Sequence, residues 1–157
     1  MRGLLLLLLA VGCASDGRGL VPGQSTAAEV EAAMGPAADK RPAAGGETVY
    51  YYPRHPFGYA TYAARIAPDG KLIALEQRLT PENMDKLKPG VTRAEEVLDL
   101  LGPPYRPMKQ ATSGDEIWTY PFLIPGFTLG HWFVVHISPD GLVREKNTIN
   151  DPTRARR

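Results

Sequence analysis

Few residues in this 157-residue chain could do covalent or coordination chemistry: one cysteine, three histidines and a pair of aspartates in matching contexts. Cys13 directly follows Ala10-Val11-Gly12. As the only cysteine it excludes an internal disulfide, a CxxC redox pair and a cysteine-rich zinc site. His131 and His136 lie an odd number of residues apart on a predicted strand, so they point to opposite faces and cannot share a metal. His55, between Arg54 and Pro56, has no second ligand near it in sequence. Asp69 and Asp140 sit in Pro-Asp-Gly turns, where turn formation accounts for both. No Gly-x-Ser-x-Gly elbow, HExxH pair or phosphate-cradling P-loop occurs. The expectation is a protein without catalytic residues, metal or cofactor, which acts by binding.

The length fits one ordinary domain or two very small fused ones, of ordinary globular composition. Apolar residues make up 43% of the chain, and 15 prolines and 16 glycines imply many turns and short elements. With 18 basic against 17 acidic residues, no field favours nucleic acid as a partner. Residues 1–12 combine Arg2, the apolar run Leu4–Leu9 and small residues before Cys13, the layout of a secretory signal. The run is too short to span a bilayer, which takes about 20 residues in a helix. Residues 13–19 then read as a short flexible tether.

Behind the tether the chain repeats itself. Leu20-Val21-Pro22-Gly23-Gln24-Ser25 matches Leu87-Lys88-Pro89-Gly90-Val91-Thr92, Glu29-Val30 matches Glu96-Val97, and Gly35-Pro36 matches Gly102-Pro103, all at an offset of 67. The aromatic stretch ending Tyr52-Pro53 aligns with Tyr120-Pro121 at 68, and Pro68-Asp69-Gly70 with Pro139-Asp140-Gly141 at 71. The offset grows only inside predicted loops, where insertions cost little. Ser25 and Thr92 read as helix N-caps, with Thr92 and Glu95 forming a capping box. Val97, Leu98 and Leu101 continue the stripe of a helix packed on one face. Gly35 and Gly102 read as left-handed C-terminal caps, and the prolines after them as helix stops. Thr80-Pro81 opens a further short helix that has no counterpart before Leu20. Three strands follow the main helix in each unit: 48–53, 59–66 and 71–79, then 116–121, 131–137 and 142–148, with each Pro-Asp-Gly closing a hairpin. The expected fold is α+β: two tandem helix-plus-antiparallel-meander units, 20–79 and 80–149, packed as one body, with a basic tail at 150–157.

Three resemblances attach to these motifs. The small residues and cysteine at Ala10-Val11-Gly12-Cys13 resemble the bacterial lipobox. That resemblance implies lipid attachment at Cys13 and, with Ala14 next, the periplasmic face of the outer membrane. Several acyl chains would make such an anchor effectively permanent. The pattern from Pro22-Gly23 to Gly35-Pro36, repeated from Pro89-Gly90 to Gly102-Pro103, resembles the SmpA/OmlA (BamE-like) outer-membrane lipoprotein family. Two such units in tandem resemble the beta-lactamase inhibitor proteins. The first resemblance implies an outer-membrane assembly component as partner, and the second a periplasmic enzyme such as a beta-lactamase.

Two places suggest where a partner would bind. Tyr62 and Ile66 align with Phe133 and Ile137 and are expected to face the helices. The opposite parity then presents Thr61, Ala63 and Arg65 in one unit, and Trp132, Val134 and His136 in the other. Trp132 beside His136 on an open sheet would be a protein-binding anchor. Alternatively, Trp132 fills the seam between the units. The apolar segment 121–127, with Phe122 and Phe127, is expected as a loop between strands. It either forms a contact patch for a partner or a lipid surface, or tucks under the sheet as core.

Overall fold

Period-two alternation and the paired hairpin turns are realised as two four-stranded antiparallel sheets, which with three helices make an α+β fold. The computed structural model describes residues 16–153. Cys13, the signal segment and tail residues 154–157 lie outside the described residues. In chain order the elements are α1 (Ala27–Met34), β1 (Asp39–Pro42), β2 (Thr48–Pro53), β3 (Thr61–Ile66), β4 (Leu72–Gln77), α2 (Pro81–Lys86), α3 (Ala94–Leu101), β5 (Tyr105–Lys109), β6 (Glu116–Leu123), β7 (Gly130–Ile137) and β8 (Val143–Asn150). The sheets run β1-β2-β3-β4 and β5-β6-β7-β8.

Each sheet therefore has one strand more than the sequence reading expects. β1 and β5 are short, charged and interrupted by Pro42 and Pro107, so they lack a strand pattern. Both sit at a sheet edge, where a proline can lie without breaking a ladder on both sides.

The repeated Pro-Gly motif performs a different task from helix capping. The Val21 amide donates to Ser25 Oγ at 3.0 Å and the Ser25 amide to the Val21 carbonyl at 2.9 Å. Lys88 and Thr92 repeat the pair at 2.8 and 2.9 Å. With their hydroxyls used in the turn, Ser25 and Thr92 do not cap. The N-cap positions move one residue on, to Thr26 and Arg93. Thr26 Oγ1 accepts from the Glu29 amide at 3.2 Å, and Glu29 Oε2 accepts from the Thr26 amide at 2.7 Å. In the second unit Glu96 Oε2 accepts from the Arg93 amide at 2.7 Å, so Thr92 and Glu95 form no capping box. The turns are also stapled to the hairpins. Gly23 and Gly90 donate to the Leu72 and Val143 carbonyls at 2.8 Å, and Ala27 and Ala94 donate to Gly70 and Gly141 at 2.9 Å.

α1 covers one face of the first sheet, burying Val30 and Met34 with Tyr52, Ala64, Ile66 and Leu72. α2 and α3 cover one face of the second, where Met84, Leu87, Val97 and Leu101 meet Trp118, Tyr120, Phe133 and Val135. Leu79 joins this second core. The N-terminal segment 16–19 is docked rather than loose. Gly17 is buried where a Cβ would lie 2.3 Å from Leu75, and Asp16 Oδ1 lies 3.4 Å from Arg54 Nε. In the repeat, Gly17 occupies the position of Met84 in α2.

The two units join where α3 ends. Tyr51, on the far face of the first sheet, donates its hydroxyl to the Asp99 carbonyl at 2.7 Å, and Arg41 Nε meets Asp99 Oδ1 at 2.6 Å. Gly102 lies between the sheets: a Cβ there would be 2.8 Å from Tyr51 and 2.9 Å from Thr61. From the other side, Tyr120 donates its hydroxyl to the Gly102 carbonyl at 3.2 Å. Thr61 and Ala63 are consequently fully buried, so that face of the first sheet is not open as the repeat suggests. A second junction is formed by the loop 54–60. His55 stacks on Tyr105 at 4.9 Å, and Tyr59 donates to Asp151 Oδ2 at 3.1 Å. Tyr59 also fills the space in front of Gly130, where a Cβ would lie 2.3 Å from its ring.

Two predictions test these junctions. Gly35 and Gly102 both adopt positive φ with ψ near 180°, an extended mirror-image region rather than the expected left-handed cap. Alanine at either position should cost about 1–3 kcal/mol of backbone strain. Nothing lies within 4 Å of a Cβ at Gly35, whereas one at Gly102 collides with two side chains. Chemical denaturation should therefore show Gly102→Ala less stable than Gly35→Ala by a further ~1–3 kcal/mol; equal losses would contradict the wedged geometry. Burial lowers the His55 pKa below its ordinary 6.5. The unfolded chain then takes up a proton near pH 6.5 that folded His55 accepts only at lower pH. Stability present above that value should be lost as pH falls. Unfolding measured between about pH 7 and pH 5 should show a shallower pH slope in His55→Gln than in the parent.

Candidate protein-binding face

β6 and β7 each bury one set of side chains under α2 and α3 and turn the other set away, while the edge strand β8 buries only Val143. Residues directly opposite in neighbouring strands point to the same face. Val134 therefore stands between Thr119 and Asn147, and His136 between Ile117 and Glu145. On the edge strand β5, Tyr105 pairs with Thr119 and Met108 with Ile117. This second face thus carries Met108, Ile117, Trp132, Val134, His136 and Ile149.

The loop 54–60 covers one end of that face. Tyr105 is under His55 and Gly130 under Tyr59, while Thr119 and Pro121 are buried. The rest is open: Met108 is 60% exposed and Ile149 46%, with Ile117 and Val134 half-buried. Trp132 is half-buried between buried Pro121 and exposed Ile149, at the border of the covered area. His136 Nδ1 lies 3.5 Å from Glu145 Oε1, an exposed carboxylate, and the imidazole itself is mostly covered, with 19% of the side chain exposed.

The remaining sequence candidates separate from this face. Phe122 is 3% exposed, because β6 continues past Pro121 to Leu123 and keeps Phe122 on the helix-facing side. It is a core residue, not a contact residue, and residues 121–123 are strand rather than loop. Beside it a cavity of about 350 Å³ opens between α2 and β8, lined by Met84, Phe122, Phe133 and Lys146. Phe127 is 61% exposed, lies in the β6–β7 loop and meets His131 edge-on at 5.9 Å. It stands at the end of the molecule, apart from Trp132 and His136. Phe57, 93% exposed, and Leu129, 69% exposed, were not singled out by the sequence reading. Their signal is a large apolar residue inside a proline- and glycine-bearing loop, where no packing stripe explains it.

Polar groups elsewhere are mostly consumed by structure. Asp140 accepts from Ser138 Oγ and from the Leu142 amide, which hold its carboxyl below the usual carboxylate range. Asp69 accepts from the Lys71 amide at 3.1 Å. In the groove between the first sheet and α3, Arg41 pairs with Asp99, Arg65 with Glu47 in a two-pronged contact, and Arg78 with Glu76. Three paired guanidiniums leave little net field for an anion. Among the described residues no group of three or more His, Cys, Asp or Glu side chains could hold a metal ion.

No known protein-family model matches the chain, and no curated protein matches it. Two solved structures are similar over most of its length. One is the DUF4309 family protein YjgB from Bacillus subtilis subsp. subtilis str. 168, with 20% identity, 87% of this chain and 86% of that chain covered, and a TM-score of 0.33. The other is a candidate beta-lactamase inhibitor protein from Streptococcus mutans, with 15% identity, 80% and 82% covered, and a TM-score of 0.32.

Proposed function

We propose that this protein is a protein-binding module, held at the periplasmic face of the outer membrane by lipid on Cys13, whose contact surface is the open face of the second sheet. The observation that supports this most is the unequal treatment of two equivalent faces. On the first sheet the face turned away from α1 is closed next to Gly102, where Ala63 and Thr61 are fully buried, and only Arg65 of that set stays partly exposed, in the groove beside α3. On the second sheet the same parity leaves Met108 and Ile149 exposed and Ile117, Trp132 and Val134 half-buried, with nothing of the first unit packed over them beyond the loop 54–60. An apolar strip rimmed by Glu145 and Asn147, with Trp132 at its inner border, has the make-up of an interface core and rim.

Two partner classes follow from the resemblances of the sequence: an outer-membrane assembly component, or a periplasmic hydrolase such as a beta-lactamase that the protein would inhibit. The similar Streptococcus mutans structure bears a name of the second kind. The lipid anchor and the location rest on the signal-like segment and the small residues before Cys13.

Trp132→Ala should weaken capture of the partner by roughly tenfold or more, as expected for an interface anchor. It should lower the melting temperature by no more than about 4 °C, the shift that ~1 kcal/mol gives in a domain of this size. Unchanged capture, or a collapse of the melting temperature, would assign Trp132 to packing. Partner identity separates the classes: barrel-assembly proteins on the resin support the first, and a soluble hydrolase whose turnover falls on addition of the protein supports the second. Cys13→Ser should move the protein out of the membrane fraction or leave the uncleaved precursor. Fractionation identical to the parent would remove the anchor.

A further inference from the structure

Four of the eight large apolar side chains exposed among the described residues lie at one end of the molecule. Phe57 in the β2–β3 loop is 93% exposed; Leu123, Phe127 and Leu129 at the β6–β7 loop are 44%, 61% and 69% exposed. These loops come from different sheets, and Tyr59 joins them by packing on Gly130 and bonding to Asp151. Within residues 54–60 and 123–131 there is no acidic side chain, and Arg54 is the sole formal charge besides the two histidines. A protein interface is ordinarily rimmed by polar groups of both signs. Loops without acidic side chains suit a lipid surface better, since carboxylates are repelled by anionic headgroups; the two aspartates beside them are paired, Asp16 with Arg54 and buried Asp151 with Tyr59.

Both described ends of the chain arrive at this same end. Asp16 meets Arg54 at 3.4 Å, and the Thr153 amide donates to Asp151 Oδ1 at 2.8 Å beside Tyr59. Cys13 is only three residues before Asp16, so an extended chain puts it within about 10 Å of the docked segment. After Thr153 the sequence continues Arg154-Ala155-Arg156-Arg157, three further cations. A short leash, exposed apolar side chains and clustered arginines are the two-signal combination by which weak lipid contacts become stable.

We infer that the end formed by loops 54–60 and 123–129 is a membrane-docking tip, inserting Phe57, Phe127 and Leu129 into an anionic bilayer. It orients the body so that the Pro-Asp-Gly hairpins point away from the lipid and the open sheet face stands beside it, free for a protein. The inference rests in part on lipid attachment at Cys13, and the test keeps the two apart.

The full-length protein, extracted from membranes, is reconstituted in phosphatidylethanolamine–phosphatidylglycerol vesicles after introducing Phe57→Cys or Leu129→Cys for bimane labelling. Val91→Cys serves as the control: Val91 is 71% exposed in the Pro-Gly turn at the hairpin end, opposite the tip. Bimane at 57 and 129 should lose iodide quenching by roughly threefold or more on vesicle binding and gain quenching from nitroxide-labelled lipid, while bimane at 91 changes little. Replacing phosphatidylglycerol with phosphatidylcholine should weaken the protection. Iodide quenching at 57 and 129 equal to that at 91 overturns the tip, as does protection by an envelope protein extract but not by vesicles. Intact mass reports the anchor separately. Protection of an unlipidated chain by added vesicles supports the tip and removes the anchor, whereas a lipidated chain with accessible labels does the reverse.

Discussion

The end of α3 has to serve two sheets at once, and the space there admits only hydrogen at the Cα of residue 102. Tyr51 and Thr61 press on Gly102 from the first sheet, while Tyr120 binds its carbonyl from the second. Its positive φ is costly for any residue with a Cβ, and the packing forbids that Cβ independently. Around this point the Asp99 carbonyl and carboxylate receive Tyr51 and Arg41. The Arg41–Asp99 pair is partly solvated and contributes little alone. The buried Tyr51 hydroxyl matters more, because leaving it unpaired in that environment would be expensive.

This wedge breaks the symmetry of the repeat, and the asymmetry gives the molecule its surfaces. The first sheet has its second face closed beside Gly102 and reduced to a groove lined by Arg65, and the other keeps an open face bordered by the loop 54–60. The same loop, through Tyr59 and His55, ties the ends of the two sheets together and lifts Phe57 outward. Binding surface and apolar tip are thus separate consequences of how one unit docks on the other. With no disulfide available, that docking rests on packing and a few directed hydrogen bonds.

The motif Pro-Gly-x-Ser/Thr shows how a repeated signature can be recognised and yet misassigned. Its recurrence at a fixed offset marks two equivalent units correctly. The hydroxyls of Ser25 and Thr92, however, close the turn onto Val21 and Lys88, and Thr26 and Arg93 take the N-cap positions. A hydroxyl one residue before a helix can satisfy either set of amides. The choice is settled by where Gly23 and Gly90 must donate, which is to strands fifty residues downstream.

The sequence alone established the α+β class, the tandem units, the Pro-Asp-Gly hairpins and the helix-facing strand residues such as Phe133 and Ile137. These follow from local periodicity and turn chemistry. It missed β1 and β5, which have no periodicity because edge strands need none. It placed Phe122 in a loop, since nothing local says that β6 runs on to Leu123; the ladder with His131 and Gly130 does that. It treated the outward faces of both sheets alike, since their residues align in the repeat. Only the tertiary structure buried Thr61 and Ala63 fully and left their equivalents Trp132 and Val134 half-buried. The reason is that burial of a sheet face depends on what packs over it, and α3 and the loop 54–60 belong, in each case, to the other unit.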